Sequence, residues 1–167
     1  MKNKTRGRTQ LIIASVAIAV VVCVGVGTCV LVTRDGDRGD GGTGSDIRSA
    51  TSLSFDVTDT STSSTFTLKV KDIGSSSMKM RIDGITAGIP CYIINGALQR
   101  VWMSYAGIWQ ELTAEDFLDL WSYWSTELSV YQESLASWTG SSSITVGTKT
   151  FFNIQVNPSL ENSLFIT

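Results

Sequence analysis

The sequence predicts an α+β fold in which an N-terminal transmembrane helix precedes an antiparallel sheet and one long, aromatic-rich helix. Three observations predict it. Residues Leu11 to Thr33 form an uninterrupted run of apolar and small residues. Several later segments alternate apolar and polar residues, as strands with one buried face do. Bulky residues between Ala114 and Trp138 recur every three or four positions, as on the buried side of an amphipathic helix.

The apolar run is long enough to cross a membrane as a helix. At 1.5 Å per residue it spans about 34 Å, and a bilayer's hydrocarbon core is about 30 Å thick. Four basic residues precede the run, whereas the segment after it carries both charge signs. The positive-inside rule therefore predicts a cytoplasmic basic stub over residues 1–10, a transmembrane signal anchor over 11–33 and an extracytoplasmic remainder. The chain is thus expected in the cell membrane, as a single-pass protein.

Two alternatives to a signal anchor stay open. A cleaved signal peptide would have an apolar region of about 7 to 15 residues and a small-residue cleavage site, and this run shows neither. Lipidation at Cys29 would remove everything before that residue. Within the run, Ser15, Ala19, Cys23 and Gly27 recur every fourth residue. Such a stripe lets two helices approach closely, although small residues are common in membrane helices generally.

The segment over residues 34–50 is rich in Gly and Asp and predicts a flexible linker. Asp35, Asp37 and Asp46 have the spacing of part of a calcium-binding loop, but Asp40 stands where that loop requires glycine. Arg38 to Asp40 spell an adhesion tripeptide, which a Gly/Asp-rich spacer produces easily. We interpret the whole segment as a solvated tether to a domain over residues 51–167.

Composition excludes several classes of function. All 15 acidic residues follow Thr33, so the outer part is acidic and offers no electrostatic footprint for nucleic acid. The chain has no histidine, which removes the commonest general base and the commonest metal ligand. Cys91 is the one cysteine outside the apolar run, so no disulfide can form within the domain. We therefore expect neither an enzyme nor a cofactor or metal site.

The first strands follow from alternation with a period of two. Each segment places its apolar residues on one side and polar residues such as Asp56, Lys69 and Arg81 on the other. Polar turn sequences separate the segments, which predicts an antiparallel meander. The apolar sets are Leu53, Phe55 and Val57, then Phe66, Leu68, Val70 and Ile73, then Met78, Met80 and Ile82.

The next pair of strands, within residues 91–105, has large apolar side chains on both sides. Both of its faces should therefore be at least partly covered. Asn95 and Gly96 predict a tight type I′ hairpin, since both tolerate positive φ. A short strand around Ile108 to Leu112, which contains Trp109, should follow.

Thr113 is a good N-cap for the long helix, because Asp116 occupies the third helical position. The stripe predicts a helix from Ala114 to about Trp138. Two strands should follow, over residues 143–146 and 150–157, and a short closing strand over 164–166. In the second of these, Phe152, Ile154 and Val156 are expected on one face.

The order of a meander, an aromatic hairpin, Trp109 in AGIWQEL, an aromatic helix and the ending NIQVNPSLENSLF resembles the LolA-like lipoprotein-carrier superfamily, including its uncharacterised, archaeal-type members. The most specific stretch runs from Asn153 to Phe165. The resemblance implies a strongly curved antiparallel sheet, a half-barrel, with helical structure on its concave side. It also implies an apolar cavity there that carries acyl chains of lipids or lipoproteins. This chain would be a membrane-anchored member.

The candidate ligand-lining residues follow from the aromatic stripe and the strands expected to face it. They are Trp102, Trp121, Trp124, Phe117, Leu128 and Phe152. Two interpretations stay open, because aromatic stripes more often fill a core than line a pocket. Cys91 is interpreted as a small buried apolar residue. The predicted function is non-catalytic binding of an apolar ligand, either a lipid or an acylated segment. The alternative is an envelope protein-interaction or sensor domain with a filled core.

Overall fold

The computed structural model describes residues 47–86, 88–105 and 107–167, which form an open, eight-stranded antiparallel sheet with one helix packed on it. The fold class is therefore α+β, as predicted. The strands are β1 (Ser52–Asp59), β2 (Ser64–Lys71), β3 (Lys79–Gly84), β4 (Cys91–Asn95), β5 (Arg100–Tyr105), β6 (Ile108–Glu111), β7 (Ser143–Val146) and β8 (Lys149–Val156), and the helix α1 (Ala114–Leu135) lies between β6 and β7.

The sheet combines a local meander with one long-range pairing. Strands β1 to β6 pair consecutively, which confirms the predicted meander. After α1 the chain returns as the hairpin β7–β8, and β8 pairs with the free side of β1. The strand order is β6-β5-β4-β3-β2-β1-β8-β7, so β1 lies in the interior of the sheet and β6 and β7 are the two edges.

Helix α1 covers one face of the sheet, which we call the helix face. The alternating apolar residues of β1 to β3 point into this interface, as predicted, and are buried there with the helix stripe. Thr113 caps the helix: its hydroxyl accepts from the Asp116 N–H, and the Asp116 carboxylate accepts from the Thr113 N–H. The helix ends at Leu135, one turn before the predicted Trp138, whose indole donates to the Ser141 carbonyl.

The domain begins before residue 51. Ile47 and Ala50 are buried in the core, and Arg48 makes an ion pair with Glu133 of α1 at 2.9 Å. The last four residues of the predicted linker thus pack with the domain. The predicted transmembrane span over residues 11–33 lies outside the described residues. Among the residues that the structure describes, no helix is long and apolar enough to cross a membrane.

The hairpin between β4 and β5 differs from the predicted type I′ turn. Four residues separate Asn95 from Arg100, and the positive φ falls on Gln99 rather than on Gly96. Glycine is needed at position 96 for another reason. A Cβ atom there would lie 2.7 Å from the Ser76 carbonyl oxygen and 2.6 Å from the Trp121 ring. Close approach of α1, and not backbone conformation, therefore selects this glycine.

A β-bulge in β8 overturns the predicted face of Phe152. Asn153 has a φ of 53°, and the pairing of β8 with β1 shifts by one residue between Ser54 and Asp56. The Asn153 amide donates to the Asp56 carboxylate at 2.6 Å. Beyond the bulge the alternation changes sides. Phe151, rather than Phe152, therefore shares the helix face with Ile154 and Val156.

The predicted closing strand over residues 164–166 is wrong. Residues 158–167 instead form an irregular strap that crosses the sheet on the face opposite α1, which we call the outer face, and they contain a 3₁₀ turn at Asn162–Phe165. Phe165 is fully buried against Ile93 and Trp102. The predicted cover on both faces of the β4–β5 pair is thereby confirmed, because α1 covers one face and the strap covers the other.

Candidate functional site

Four of the six predicted lining residues come together on the helix face. Phe117, Trp121, Trp124 and Leu128 lie along α1 and belong to the main hydrophobic core or pack against it. The Trp124 ring meets Phe66 of β2 edge to face, with 5.6 Å between the ring centroids, and only 7% of the residue is exposed. These contacts are those of core packing.

Further aromatic contacts continue this packing toward β1 and β8. Tyr131 meets Phe55 and Phe151 edge to face, with ring centroids 5.8 and 5.6 Å apart. Burial raises the pKa of the Tyr131 phenol, and the nearby Glu127 carboxylate raises it further. The phenol therefore stays neutral under ordinary conditions. The middle of the helix–sheet interface is filled by interlocking rings.

The other two predicted residues, Trp102 and Phe152, are not on the helix face. Trp102 pairs directly with Ile93 and packs under Phe165 on the outer face. Phe152 pairs with Asp56, whose side chain also points to the outer face. Strands β1 to β4 separate the two residues. The predicted site that joined Trp102 to Trp121 and Trp124 is therefore not formed, because the sheet lies between them.

On the outer face, lysine and arginine side chains of the sheet hold the strap by donating to its backbone carbonyl oxygens. Lys71 donates to the Leu160 carbonyl at 2.9 Å, and Arg81 donates to the Leu164 carbonyl at 3.1 Å. Lys71 and Lys79 both reach the Asn162 side-chain oxygen. These contacts fix the course of the strap from β2 toward β5.

A depression of about 530 Å³ opens beside the strap, over the end of the sheet where β3 meets β4 and β5 meets β6. Its floor includes Cys91, Ser104 and Trp109, which lie directly opposite one another on three adjacent strands. Ile85 and Tyr105 stand at its rim and are 59% and 65% exposed. The depression therefore combines an aromatic and hydroxyl-bearing floor with an apolar rim.

Arg81 is the electrostatic centre of the depression. Its Nε atom donates to both carboxylate oxygens of Asp83 at 2.9 Å, and Lys69 lies 3.8 Å from the same carboxylate. The guanidinium carbon is 5.7 Å from the centre of the Trp109 ring, within cation–π range. Arg81 thus links the strap, the carboxylate and the indole, and it holds the floor in one arrangement.

The chemistry available in this depression is recognition. A guanidinium, a carboxylate, a hydroxyl and backbone groups can orient a polar ligand, while Trp109, Ile85 and Ile89 supply apolar contact. Among the described residues, no three acidic, cysteine or histidine side chains come together as a metal site would require.

Part of this site could have been found from the alternation of polar and apolar residues along the strands. Arg81 and Asp83 stand on the polar side of a predicted strand, and Trp109 stands on a short strand that follows the aromatic hairpin. Arg81 and Asp83 lie on β3 and Trp109 lies on β6, so they come together only when β4 and β5 are paired between them. No local pattern encodes that contact.

No protein-family model, characterised protein or solved structure matches this chain significantly.

Proposed function

We propose that this chain is a membrane-tethered, extracytoplasmic binding module without catalytic activity, which holds a segment of another envelope protein in the depression on its outer face. The observation that carries the proposal is the depression itself. It is open, it has an ordered polar floor, and large apolar side chains stand uncovered at its rim. Protein-recognition surfaces combine such features.

The filled helix face supports recognition of a protein segment over transport of an acyl chain. An acyl carrier of LolA-like architecture would hold its ligand between the helix and a sheet curved into a half-barrel. In this chain Trp124, Tyr131 and Phe151 occupy that interface with edge-to-face contacts. We propose that the sheet is curved into a half-barrel with α1 on its concave side. The ligand would then bind on the opposite, outer face.

Two features support a binding role over catalysis. The chain has no histidine. In the depression, both oxygens of the Asp83 carboxylate accept from the Arg81 Nε atom at 2.9 Å, so this carboxylate is already engaged by a neighbouring side chain. The Cys91 and Ser104 side chains lie opposite each other, and Asp83, which is engaged by Arg81, is the one carboxylate among the described lining residues.

An apolar ligand in the same depression is the second candidate. Ile85, Ile89 and Tyr105 would contact an acyl chain, and the Arg81 guanidinium would contact an anionic group at its end. A lipid and a protein segment would both use this depression, so one experiment distinguishes them.

The experiment places a photoreactive amino acid at Tyr105 of the full-length chain in its native membrane. The matched control carries the photoreactive amino acid at Val130, an exposed apolar position on the solvent-facing side of α1. We expect a discrete protein adduct from position 105 and none from position 130. Alkylating Cys91 with a bulky maleimide, in a chain with Cys23→Ala and Cys29→Ala, should abolish the adduct by filling the depression.

The adduct's identity decides between the candidates. A lipid adduct from position 105, found by mass spectrometry, would favour the apolar ligand. Equal labelling from positions 105 and 130, or an adduct that survives alkylation of Cys91, would remove the depression as the binding site.

The tether has a separate test. Protease added to intact cells should digest the part after Thr33 and leave the N-terminal stub protected, because the segment before the apolar run carries four basic residues and no acidic one, whereas the segment after it carries both charge signs. A C-terminal domain protected until the membrane is lysed would contradict the proposed topology.

A further inference from the structure

The β6 edge of the sheet offers unpaired backbone groups. The pair Tyr105–Ile108 flanks a two-residue turn, and in an antiparallel hairpin hydrogen-bonded pairs alternate with non-hydrogen-bonded pairs. Leu112 donates to the Val101 carbonyl, which fixes the same phase at the other end of the strand. The N–H and C=O groups of Trp109 and Glu111 therefore point away from β5. Among the described residues, nothing pairs with them.

The other edge, β7, is partly covered. The Ser141 hydroxyl donates to the Ser143 carbonyl, one of the groups on that edge. Ile144, the apolar residue of β7, is only 8% exposed, whereas Ile108 of β6 is 74% exposed and the adjoining Tyr105 is 65% exposed. Natural proteins commonly protect a free edge with Lys, Pro, a bulge, other charges or a short strand, and the protection of β6 is limited to its length of four residues and the charge of Glu111. The two edges differ both in backbone pairing and in apolar cover.

We propose that the β6 edge pairs with the β6 edge of a second copy of this chain, antiparallel about a two-fold axis, so that two sheets become one. An exposed strand edge is matched by another extended backbone. A two-fold axis uses the same patch on both copies, so the patch must be complementary to itself. The sequence of β6 meets that condition in one register.

Trp109 and Glu111 are the residues whose backbone groups face the free edge, and three registers place these residues of two copies opposite each other. Pairing Glu111 with itself would place two carboxylates side by side, which is unfavourable. Pairing Trp109 with itself would set Glu111 against Gly107 in the turn. Pairing Trp109 with Glu111 uses all four edge groups of each copy within the strand. It also sets the exposed Ile108 against the half-buried Leu112.

The apolar run provides a second, independent feature that favours the same partner. Its stripe of Ser15, Ala19, Cys23 and Gly27 would let two membrane helices pack closely. The membrane anchor proposed above would hold two copies at a high effective concentration, and with that tether a four-residue edge suffices where it would not in dilute solution.

The pairing has a consequence for the depression. Trp109 lies on the β6 side of the depression, where no further strand follows. In the proposed register, Glu111 of the second copy lies beside Trp109. Strand β6 of the second copy would therefore form an additional side of the depression where it is now open. The inference goes beyond the proposed function and does not rest on which ligand the depression holds.

The test uses disulfide trapping in the full-length chain with Cys23→Ala, Cys29→Ala and Cys91→Ala. The two-fold axis places Gln110 opposite Gln110 of the second copy as a non-hydrogen-bonded pair. The Cα atoms of such a pair are about 4.5 Å apart, within disulfide range. Oxidation of permeabilised membranes that contain the Gln110→Cys variant should therefore convert this variant into a covalent dimer.

Matched variants separate this register from chance collision. Thr145→Cys, on the β7 edge, and Ile108→Cys alone should remain monomeric. Ile108→Cys and Leu112→Cys, on differently tagged copies, should form a mixed dimer. Glu111→Pro removes an edge N–H that the chain's own sheet does not use, so it should abolish the Gln110→Cys dimer while the circular dichroism spectrum is retained.

Three results would overturn the proposal: a Gln110→Cys dimer no stronger than that of Thr145→Cys, persistence of the dimer in Glu111→Pro, or trapping of a different protein at position 110. None of these results bears on the adduct from Tyr105, so the proposed function and the pairing of copies fail separately.

Discussion

The helix face and the outer face of this sheet are covered by different means. On the helix face, a 22-residue helix buries aromatic rings that contact one another edge to face. On the outer face, an irregular strap is tied by lysine and arginine side chains to its carbonyl oxygens, and Phe165 is its fully buried anchor. A face closed by packed rings has little room for a ligand, whereas a face closed by a narrow strap leaves an uncovered floor beside it.

The comparison predicts that the largest loss of stability comes from the helix face. Trp124→Ala should lower the free energy of unfolding by about 3 to 5 kcal/mol, because removing a buried indole leaves a cavity among fixed neighbours. Ser122→Ala, on the exposed side of the same helix, should cost less than about 0.5 kcal/mol. Urea denaturation followed by circular dichroism measures both. Equal losses would mean that the helix face is not the main source of stability.

A smaller loss is expected at the anchor of the outer face. Phe165→Ala should cost about 1.5 to 3 kcal/mol, the value for exposing one large apolar side chain, because the strap can detach rather than enclose a cavity. Ile166→Ala, at an exposed neighbouring position, serves as the control. Hydrogen exchange should show Trp102 and Ile93 losing protection while the core of α1 keeps it. A loss as large as that of Trp124→Ala would show that the two faces are closed equally firmly.

The smallest effect concerns an ion pair at one end of the sheet, and it depends on pH. Burial alone would raise the pKa of Asp59, but hydrogen bonds from Ser61 and the charge of Lys149 lower it to about 2. Since the folded pKa lies below the ordinary value of 3.8, the contribution is complete above about pH 4 and disappears as the pH falls through 2.

Asp59→Asn should therefore lose up to about 2 kcal/mol at neutral pH and almost nothing relative to the wild type at pH 2. Urea titrations at several pH values measure the difference, with the exposed Glu161→Gln as the control. A difference that does not change with pH would assign the effect of Asp59 to hydrogen bonding alone.

Features with a local cause could be predicted from the sequence. The strands β1 to β3 and the start of α1 follow from alternation and from the Thr113 cap, because neighbouring residues decide them. The face of Phe152 could not be predicted, since one residue, Asn153, takes a positive φ and reverses the alternation. The strap could not be predicted as a strap, because Leu164 and Phe165 carry the same apolar signal in a strand and in a 3₁₀ turn.

None of the six lining residues predicted from the sequence lines the depression. Of the aromatic residues of α1, Phe117, Trp124 and Tyr131 are buried as expected and Trp121 and Tyr123 are partly buried, but Trp102 lies across the sheet from them. Parity along a strand places a side chain on one of two faces without stating which element covers that face. The depression depends further on two loops, after Gly84 and after Tyr105, whose approach is fixed only when β3 to β6 are assembled.

The position of β1 between two paired strands determines how the molecule would carry mechanical load. The chain enters the domain through Ile47 and passes directly into Ser52, at the end of the sheet opposite the depression. With the membrane anchor and the depression-bound partner proposed above, a pull between the two would run nearly along the strands. Both neighbours of β1, β2 and β8, would resist it together in shear, because their hydrogen bonds lie across the direction of force. Such a ladder breaks by the simultaneous loss of many bonds, whereas a strand peeled from an edge loses them one at a time.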